Sequence, residues 1–202
     1  MTRYPLVIGV VLLSLLAVAC RGEEKTPGPA ETGTPEGGFF GLPTPAGTPI
    51  ISDSQFEFPA RGYSVSIPAG WSAQASYVLR PDEAIDAFFS PTPDEGVQPS
   101  ITVSCETVEA GTTLEAYAEE KVASAAETAG QEPQVSEGQV AGLDAQVVDY
   151  SLNGATPTLD RTDVVFINER CGWTVTLTAP GGRRADFQPV LDEFLDSFRL
   201  LP

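Results

Sequence analysis

Residues 161–179 read RTDVVFINERCGWTVTLTA, and this stretch decides the fold. Its two halves, 161–168 and 172–179, are rich in valine, isoleucine, threonine and phenylalanine, and only Glu169, Arg170 and Cys171 separate them. β-Branched and aromatic residues favour strands, and so short a connection joins antiparallel neighbours. The stretch therefore predicts a β-hairpin.

Two amphipathic helices are predicted around this hairpin. The later one runs from residue 182 or 183 to 198, with apolar side chains at helical spacing: Phe187, Val190, Leu191, Phe194, Leu195 and Phe198. The earlier one covers 112–129, with the same periodicity at Leu114, Ala118, Val122, Ala125 and Ala129. Each helix therefore has one face that can pack on a sheet.

Further strands are predicted at 63–67, 85–90, 100–108, 134–140 and 143–152, where the sequence is apolar or alternates apolar with polar residues. In the third of these segments, Ile101, Val103 and Cys105 share the face that we expect to be buried. The chain is thus predicted to be α+β, with an antiparallel sheet of about six or seven strands packed with a central helix and a C-terminal helix.

The order of these pieces resembles the PsbP-like fold, shared by extrinsic subunits of the photosynthetic water-oxidising complex and by small bacterial lipoproteins. The resemblance spans nearly all of residues 56–200 and is carried by 63–71 (YSVSIPAGW), 113–117 (TLEAY), 142–145 (GLDA), 173–178 (WTVTLT) and 194–199 (FLDSFR). It implies a largely non-catalytic domain that assembles membrane complexes or binds a ligand. The metal-linked roles of photosynthetic members depend on histidines, which this chain lacks.

The N-terminus predicts export and lipidation. The segment 5–19 is uncharged but shorter than the roughly 18 to 20 apolar residues of a spanning helix, so residues 1–19 are typical of a signal peptide. Cys20 follows Ala19 as in a bacterial lipobox, which predicts a diacylglyceryl group on its thiol and an acyl chain such as palmitate on the new amino terminus. The alternative is a plain secretory peptide with an incidental cysteine.

Residues 20–54 are predicted to be a disordered linker, because proline, glycine and threonine dominate and little apolar surface is available for burial. Residues 55–202 have the length of one ordinary domain. We therefore expect a lipid-anchored protein on the extracytoplasmic face of the cell membrane, with its domain at the end of a tether.

Composition excludes several functions. The chain has 28 acidic and 11 basic residues, a formal net charge of −17 and no histidine. Nucleic acid is a poor partner for such a chain, because phosphate binding relies on clustered lysine and arginine. Without histidine, Ser-His-Asp and Cys-His catalysis are excluded. Acidic residues around Asp86 and Asp94 match no EF-hand spacing, so we predict no metal and no cofactor.

Cys105 and Cys171 are predicted to form a disulfide, because strand parity places both thiols towards one apolar layer and the exported compartment is oxidising. The alternative is a pair of separate buried thiols. A catalytic or zinc-binding role is disfavoured, since neither cysteine has a close CxxC partner.

Two functions remain open. The first is a non-catalytic binding or complex-assembly domain that contacts an unidentified envelope protein. The alternative is a carrier or sensor of a small apolar ligand, such as a lipid or glycolipid, lodged between sheet and helix. A carrier needs a lined cavity, whereas an interaction domain needs only an exposed apolar or charged patch.

Overall fold

A computed structural model describes residues 48–80, 83–169 and 171–202. In chain order its elements are β1 (Ile50–Ile51), β2 (Gln55–Phe58), β3 (Tyr63–Ser66), β4 (Ser72–Arg80), β5 (Glu83–Phe89), β6 (Ser100–Thr107), α1 (Leu114–Ala129), β7 (Gln134–Val140), β8 (Leu143–Leu152), β9 (Leu159–Asn168), β10 (Cys171–Pro180), α2 (Arg184–Ser197) and β11 (Arg199–Leu200). Neither helix is long and apolar enough to cross a membrane, within the described part of the chain.

The strands form two antiparallel sheets. The large sheet has seven strands in the order β4-β5-β6-β10-β9-β8-β7, so the β9–β10 hairpin lies near its centre. In that hairpin Trp173 stands opposite Phe166, and Val175 opposite Val164. The predicted hairpin and the α+β class are therefore confirmed.

The second, four-stranded sheet has the order β1-β2-β3-β11, and only β3 among its strands was predicted. Its members are two to four residues long, which is too short for a periodic signal. Strand β1 lies inside the range 20–54 that was assigned to the linker, where Ile50 pairs with Glu57 of β2. The predicted signal peptide and Cys20 lie outside the described residues.

One face of the large sheet carries the main core, which is filled by aromatic side chains from the sheet, from α2 and from the small sheet. The rings of Tyr63 and Phe198 stack with centroids 5.2 Å apart, and those of Phe88 and Phe194 meet edge to face at 4.8 Å. The fully buried rings of this layer are Phe56, Phe58, Tyr63, Phe88, Phe166, Phe194 and Phe198. Such packing leaves α2 fixed against the sheet.

Helix α1 covers the opposite face, above β8 and β9. Its first turn is capped by Thr113, whose Oγ1 accepts a hydrogen bond from the Ala116 N–H at 3.3 Å. Tyr117 packs so closely on β10 that a Cβ on Gly172 would lie 2.6 Å from its ring. Glycine at position 172 is therefore what allows the helix to approach the sheet.

Candidate functional site

A polar cleft of about 270 Å³ lies between α1 and the large sheet. Its walls carry hydroxyl groups from strands β6 and β10 and from the helix, which are Thr102, Ser104, Ser124, Thr128, Thr174 and Thr176. The charged side chains in it are Lys121, Arg161 and Asp163. We call this feature the α1–sheet cleft.

Asp163 is the centre of a hydrogen-bond network inside the α1–sheet cleft. The hydroxyl of Tyr150 donates to Asp163 Oδ2 at 2.9 Å, and Oγ1 of Thr176 donates to Asp163 Oδ1 at 2.6 Å. Burial raises the pKa of Asp163, while the hydrogen bond from Thr176 and the charge of Arg161 act in the opposite direction. Burial, followed by the charge of Asp163, raises the pKa of Tyr150 to about 12.

The helix side of the cleft is held by Tyr117 and Lys121. Tyr117 Oη and Thr174 Oγ1 are 3.1 Å apart and share a hydrogen bond, and burial raises the pKa of Tyr117. The Lys121 ammonium lies 4.9 Å from the centre of the Tyr117 ring and forms an ion pair with Glu106. The titratable groups of the cleft therefore each have a partner within the fold, which is the pattern of a structural network.

The hypothesis of an apolar ligand between sheet and helix requires room in one of two places, either beneath α2 or in the α1–sheet cleft. The space beneath α2 is filled with aromatic rings, and the α1–sheet cleft is lined mainly by hydroxyl and charged groups. A buried apolar chain would leave those polar groups without water or partners, which costs free energy. Neither space, among the described residues, favours the carrier.

The Tyr150 phenol is expected to make the protein less stable at alkaline pH. Its pKa is about 12 in the fold and about 10 in an unfolded chain, so between those values the unfolded chain releases a proton that the fold retains. Stability is therefore lost as pH rises from about 10. For Tyr150→Phe we expect this loss between pH 8 and 11 to be smaller than in the wild type by about 1 kcal/mol, as measured by urea unfolding. Equal losses in the two proteins would contradict this assignment.

A second surface feature lies between α1 and the edge strand β7. Two adjoining depressions of about 510 and 570 Å³, which share Glu115 and Gln146, follow the helix along this edge. Val135 is 48% exposed there. The apolar residues of the two depressions are Leu114, Val122, Ala123, Ala126, Pro133, Val135 and Ala145. We call the combined feature the α1–β7 groove.

The α1–β7 groove is strongly acidic. Five exposed carboxylates line it, namely Glu115, Glu119, Glu132, Glu137 and Asp144. None of the five forms an ion pair within the described part of the chain. Hydrogen bonds from its own backbone N–H and from Thr113 lower the pKa of Glu115, so this carboxylate stays charged. An apolar floor with a negative rim suits a partner that is both apolar and basic.

The two cysteines that were singled out in the sequence are joined in a disulfide, with Cα atoms 5.7 Å apart. Cys105 lies opposite Trp173, two positions from Cys171 on the neighbouring strand, so the bond is diagonal across β6 and β10. The expected burial of both cysteines is found only in part: Cys105 is exposed near the end of β6, and Cys171 is partly buried against the core. The disulfide lies beside the core, and neither cysteine lines the α1–sheet cleft or the α1–β7 groove.

The acidic residues around Asp86 and Asp94 do not converge. Asp86 is fully buried in the core, where the Arg61 guanidinium donates to Oδ2 at 2.9 Å and the Tyr63 hydroxyl at 2.7 Å. Asp94 instead pairs with Arg183 at 3.1 Å. No group of three or more acidic, cysteine or histidine side chains is arranged to hold a metal ion among the described residues. In the sequence, the signal that could have indicated this buried ion pair is an aspartate inside the apolar run 85–89.

Comparisons with known proteins give similarity in structure only. No protein-family model matches the chain, and neither does any curated protein. The solution structure of cyanobacterial PsbP (CyanoP) from Synechocystis is similar over 75% of this chain and 95% of its own, with 13% identity and a TM-score of 0.53. A Bacteroides thetaiotaomicron protein is similar over 75% of this chain, with 12% identity and a TM-score of 0.52, and the chain spans half of that protein's length. LpqN of Mycobacterium tuberculosis, involved in cell envelope biogenesis, has 15% identity over 77% of this chain and a TM-score of 0.49.

The two sheets and two helices, together with the similarity to cyanobacterial PsbP, define the class of the domain as α+β. The particular fold is PsbP-like, as the order of the sequence motifs implied. At this level of identity the likeness concerns the fold alone.

Proposed function

We propose that the chain is a lipid-anchored, extracytoplasmic envelope protein whose PsbP-like domain binds a partner protein without catalysing a reaction. The anchor in this proposal is Cys20, which follows the predicted signal peptide. Two or three acyl chains at about 0.8 kcal/mol per buried methylene hold a protein at a membrane, whereas one chain holds it only marginally. The linker then sets how far the domain reaches.

The observation that carries the binding role is the α1–β7 groove. A few carboxylates elsewhere on the domain have basic partners, as Asp149 does with Arg184 at 3.2 Å and Asp94 with Arg183. In the α1–β7 groove the carboxylates lack such partners among the described residues, and apolar side chains stay exposed between them. Exposed apolar surface with an unneutralised rim supports a docking role for a basic protein.

The expectation of no catalysis rests on chemistry. The sequence has no histidine, and the strongly buried carboxylate Asp86 is held by Arg61 and Tyr63 in the core. The second titratable cluster, around Asp163, is occupied by the hydroxyls of Tyr150 and Thr176. Both carboxylates are thus held by hydrogen bonds within the fold, and neither cluster contains a histidine or a cysteine to act as base or nucleophile.

The proposal is tested by photo-cross-linking in the native cells. We expect a photoreactive residue at Ala123 or at Val135 to cross-link one and the same protein, because both positions line the α1–β7 groove. A photoreactive residue at Asp192, which is exposed in α2, is the matched control and should not cross-link it. Mass spectrometry identifies the product, and the purified partner is then bound to the purified chain.

Two variants complete this experiment. Glu119→Lys should weaken the cross-links from Val135, since it reverses one charge on the rim of the groove. Cys20→Ser should release the chain from the membrane fraction and weaken cross-linking to a membrane-bound partner. Equal cross-linking from the groove and from Asp192, or a Cys20→Ser chain that stays in the membrane fraction, would overturn the corresponding half of the proposal.

A further inference from the structure

Strand β7 ends the large sheet, and its outer edge pairs with no strand in the described part of the chain. In an antiparallel ladder, alternate residues direct their N–H and C=O groups to one neighbour, and the residues between them direct theirs to the other side. The outer edge of β7 therefore presents a row of unpaired backbone groups alongside the α1–β7 groove.

The two edges of the large sheet differ in regularity. All seven residues of β7 pair with β8 without a register shift, from Gln134 opposite Asp149 to Val140 opposite Leu143. Strand β7 also contains neither proline nor lysine. The opposite edge strand, β4, has two register shifts in its pairing with β5. Bulges, prolines and charged side chains protect edge strands, and β7 has only one of these, the charge of Glu137. Of the two edges, β7 is therefore the more regular one for an added strand.

We propose that the partner docks by adding an extended segment to the outer edge of β7, with apolar and basic side chains on the face that meets α1. This inference rests on the proposed binding role of the α1–β7 groove and specifies the partner. Val135 lies on the α1 side, because it is opposite Val148, which packs with Ala125 of the helix. Glu137 lies on the same side two residues further along.

An added strand would place its side chains about 5 Å from those of β7. On the α1 side an apolar residue of the partner then meets Val135, and a lysine or arginine meets Glu137 and the carboxylates of the helix. Backbone hydrogen bonds supply affinity in this mode, and the alternating side chains supply specificity.

A second copy of the chain is a poor occupant of this edge. Glu137 is the central residue of β7, so full antiparallel pairing of two β7 strands brings Glu137 beside the same residue of the other copy. Like charges directly opposite one another destabilise a strand pair. The net charge of −17 adds long-range repulsion between copies. Both effects favour a basic partner.

The test uses the full-length lipoprotein in neutral detergent and a labelled nine-residue peptide. Every second residue of the peptide is threonine, and the residues between them are valine and lysine in turn. In an extended peptide this puts threonine on one face and valine and lysine on the other. Both ends are blocked. We expect saturable binding by fluorescence anisotropy, which weakens as salt is added. We expect no binding of the same peptide with glutamate in place of lysine. Absence of binding by the lysine peptide would overturn the inference.

Two N-methylated peptides separate strand addition from simple electrostatic attraction. One carries N-methyl groups on every second residue, and the other carries them on the remaining residues, so each blocks one edge of the extended peptide. Because β7 bonds to only one edge, one peptide should lose binding while the other retains it. Equal affinity of the two peptides would overturn strand addition.

Charge reversal locates the site on the protein. Glu137→Lys is expected to weaken binding of the lysine peptide about tenfold or more, whereas Glu193→Lys, at an exposed position of α2, should change it little. A wild-type chain that sediments as a dimer and becomes monomeric in Glu137→Lys would make a second copy the occupant and overturn the inference. If the peptides fail while cross-links from Ala123 and Val135 persist, the binding role stands and strand addition does not.

Discussion

Asp86→Ala is expected to lower the free energy of unfolding by about 3–5 kcal/mol, because it removes one partner of a buried ion pair. The Asp86 side chain is fully buried, and the side chain of Arg61 is 13% exposed. Without the carboxylate, the guanidinium and the Tyr63 hydroxyl stay inside the core and lose a charged acceptor. Burial, followed by the charge of Asp86, raises the pKa of Tyr63 far above its usual value, so the phenol remains a neutral donor at ordinary pH.

Urea unfolding of Asp86→Ala beside Asp192→Ala measures this effect. Asp192 is an exposed aspartate of α2, so its replacement should change stability by a few tenths of a kcal/mol. A double variant, Arg61→Leu with Asp86→Leu, should recover part of the loss, because it removes both charges of this ion pair together. If Asp86→Ala is no less stable than Asp192→Ala, the ion pair does not stabilise the core.

The second large effect is expected from the disulfide. Cys105 and Cys171 are 66 residues apart in sequence, and a cross-link across a loop of that length restricts the unfolded chain by about 4 kcal/mol in the entropy model. The double variant Cys105→Ser, Cys171→Ser should lose stability of that order. The loss arises mainly in the unfolded state, because the exposed Cys105 contributes little to the packed core.

Reductant provides the control for this prediction. In urea unfolding with reductant, the wild-type protein should be as stable as the double serine variant. Without reductant, the wild-type protein should be more stable than it is with reductant and more stable than the variant. Alkylation of the unreduced, unfolded protein should leave Cys105 and Cys171 unmodified. Two alkylated thiols, or equal unfolding midpoints with and without reductant, would show that the bond does not form in solution.

Strong periodicity is what made most of the fold predictable. The β9–β10 hairpin, the helix containing Leu191 and Phe194, and strand β8 follow from residues whose apolar side chains recur at a period of two or 3.6. The order of these elements then indicated the PsbP-like fold. Each of these predictions depends on side chains that are close in sequence.

The small sheet and strand β4 were not predicted, for a different reason. Strands β1, β2 and β11 are stabilised by pairing with partners elsewhere, as when Leu200 near the C-terminus pairs with Tyr63. Strand β4 pairs with β5 through two register shifts, so its residues do not alternate regularly between the two faces of the sheet. Tertiary pairing can hold a strand whose own sequence signals it weakly.

The same distinction applies to the candidate sites. The cysteine pairing could be inferred from strand parity, whereas the exposure of Cys105 depends on where β6 leaves the core. The α1–β7 groove unites Glu115 and Glu119 of the helix with Glu137 of the strand, and nothing in their local sequences brings them together.

The sequence by itself determined the types of both helices and of most strands of the large sheet, the α+β class, the acidity of the chain and the absence of histidine chemistry. These features depend on composition and local period. Only the tertiary structure decided that Asp86 meets Arg61 in the core and that Asp163 lies in the cleft beneath α1. It also left β7 as a regular edge that no other strand of the described residues pairs with. Strand order and helix placement minimise the free energy of the whole chain. Contacts between side chains on different strands therefore depend on all the elements together, and no single segment encodes them.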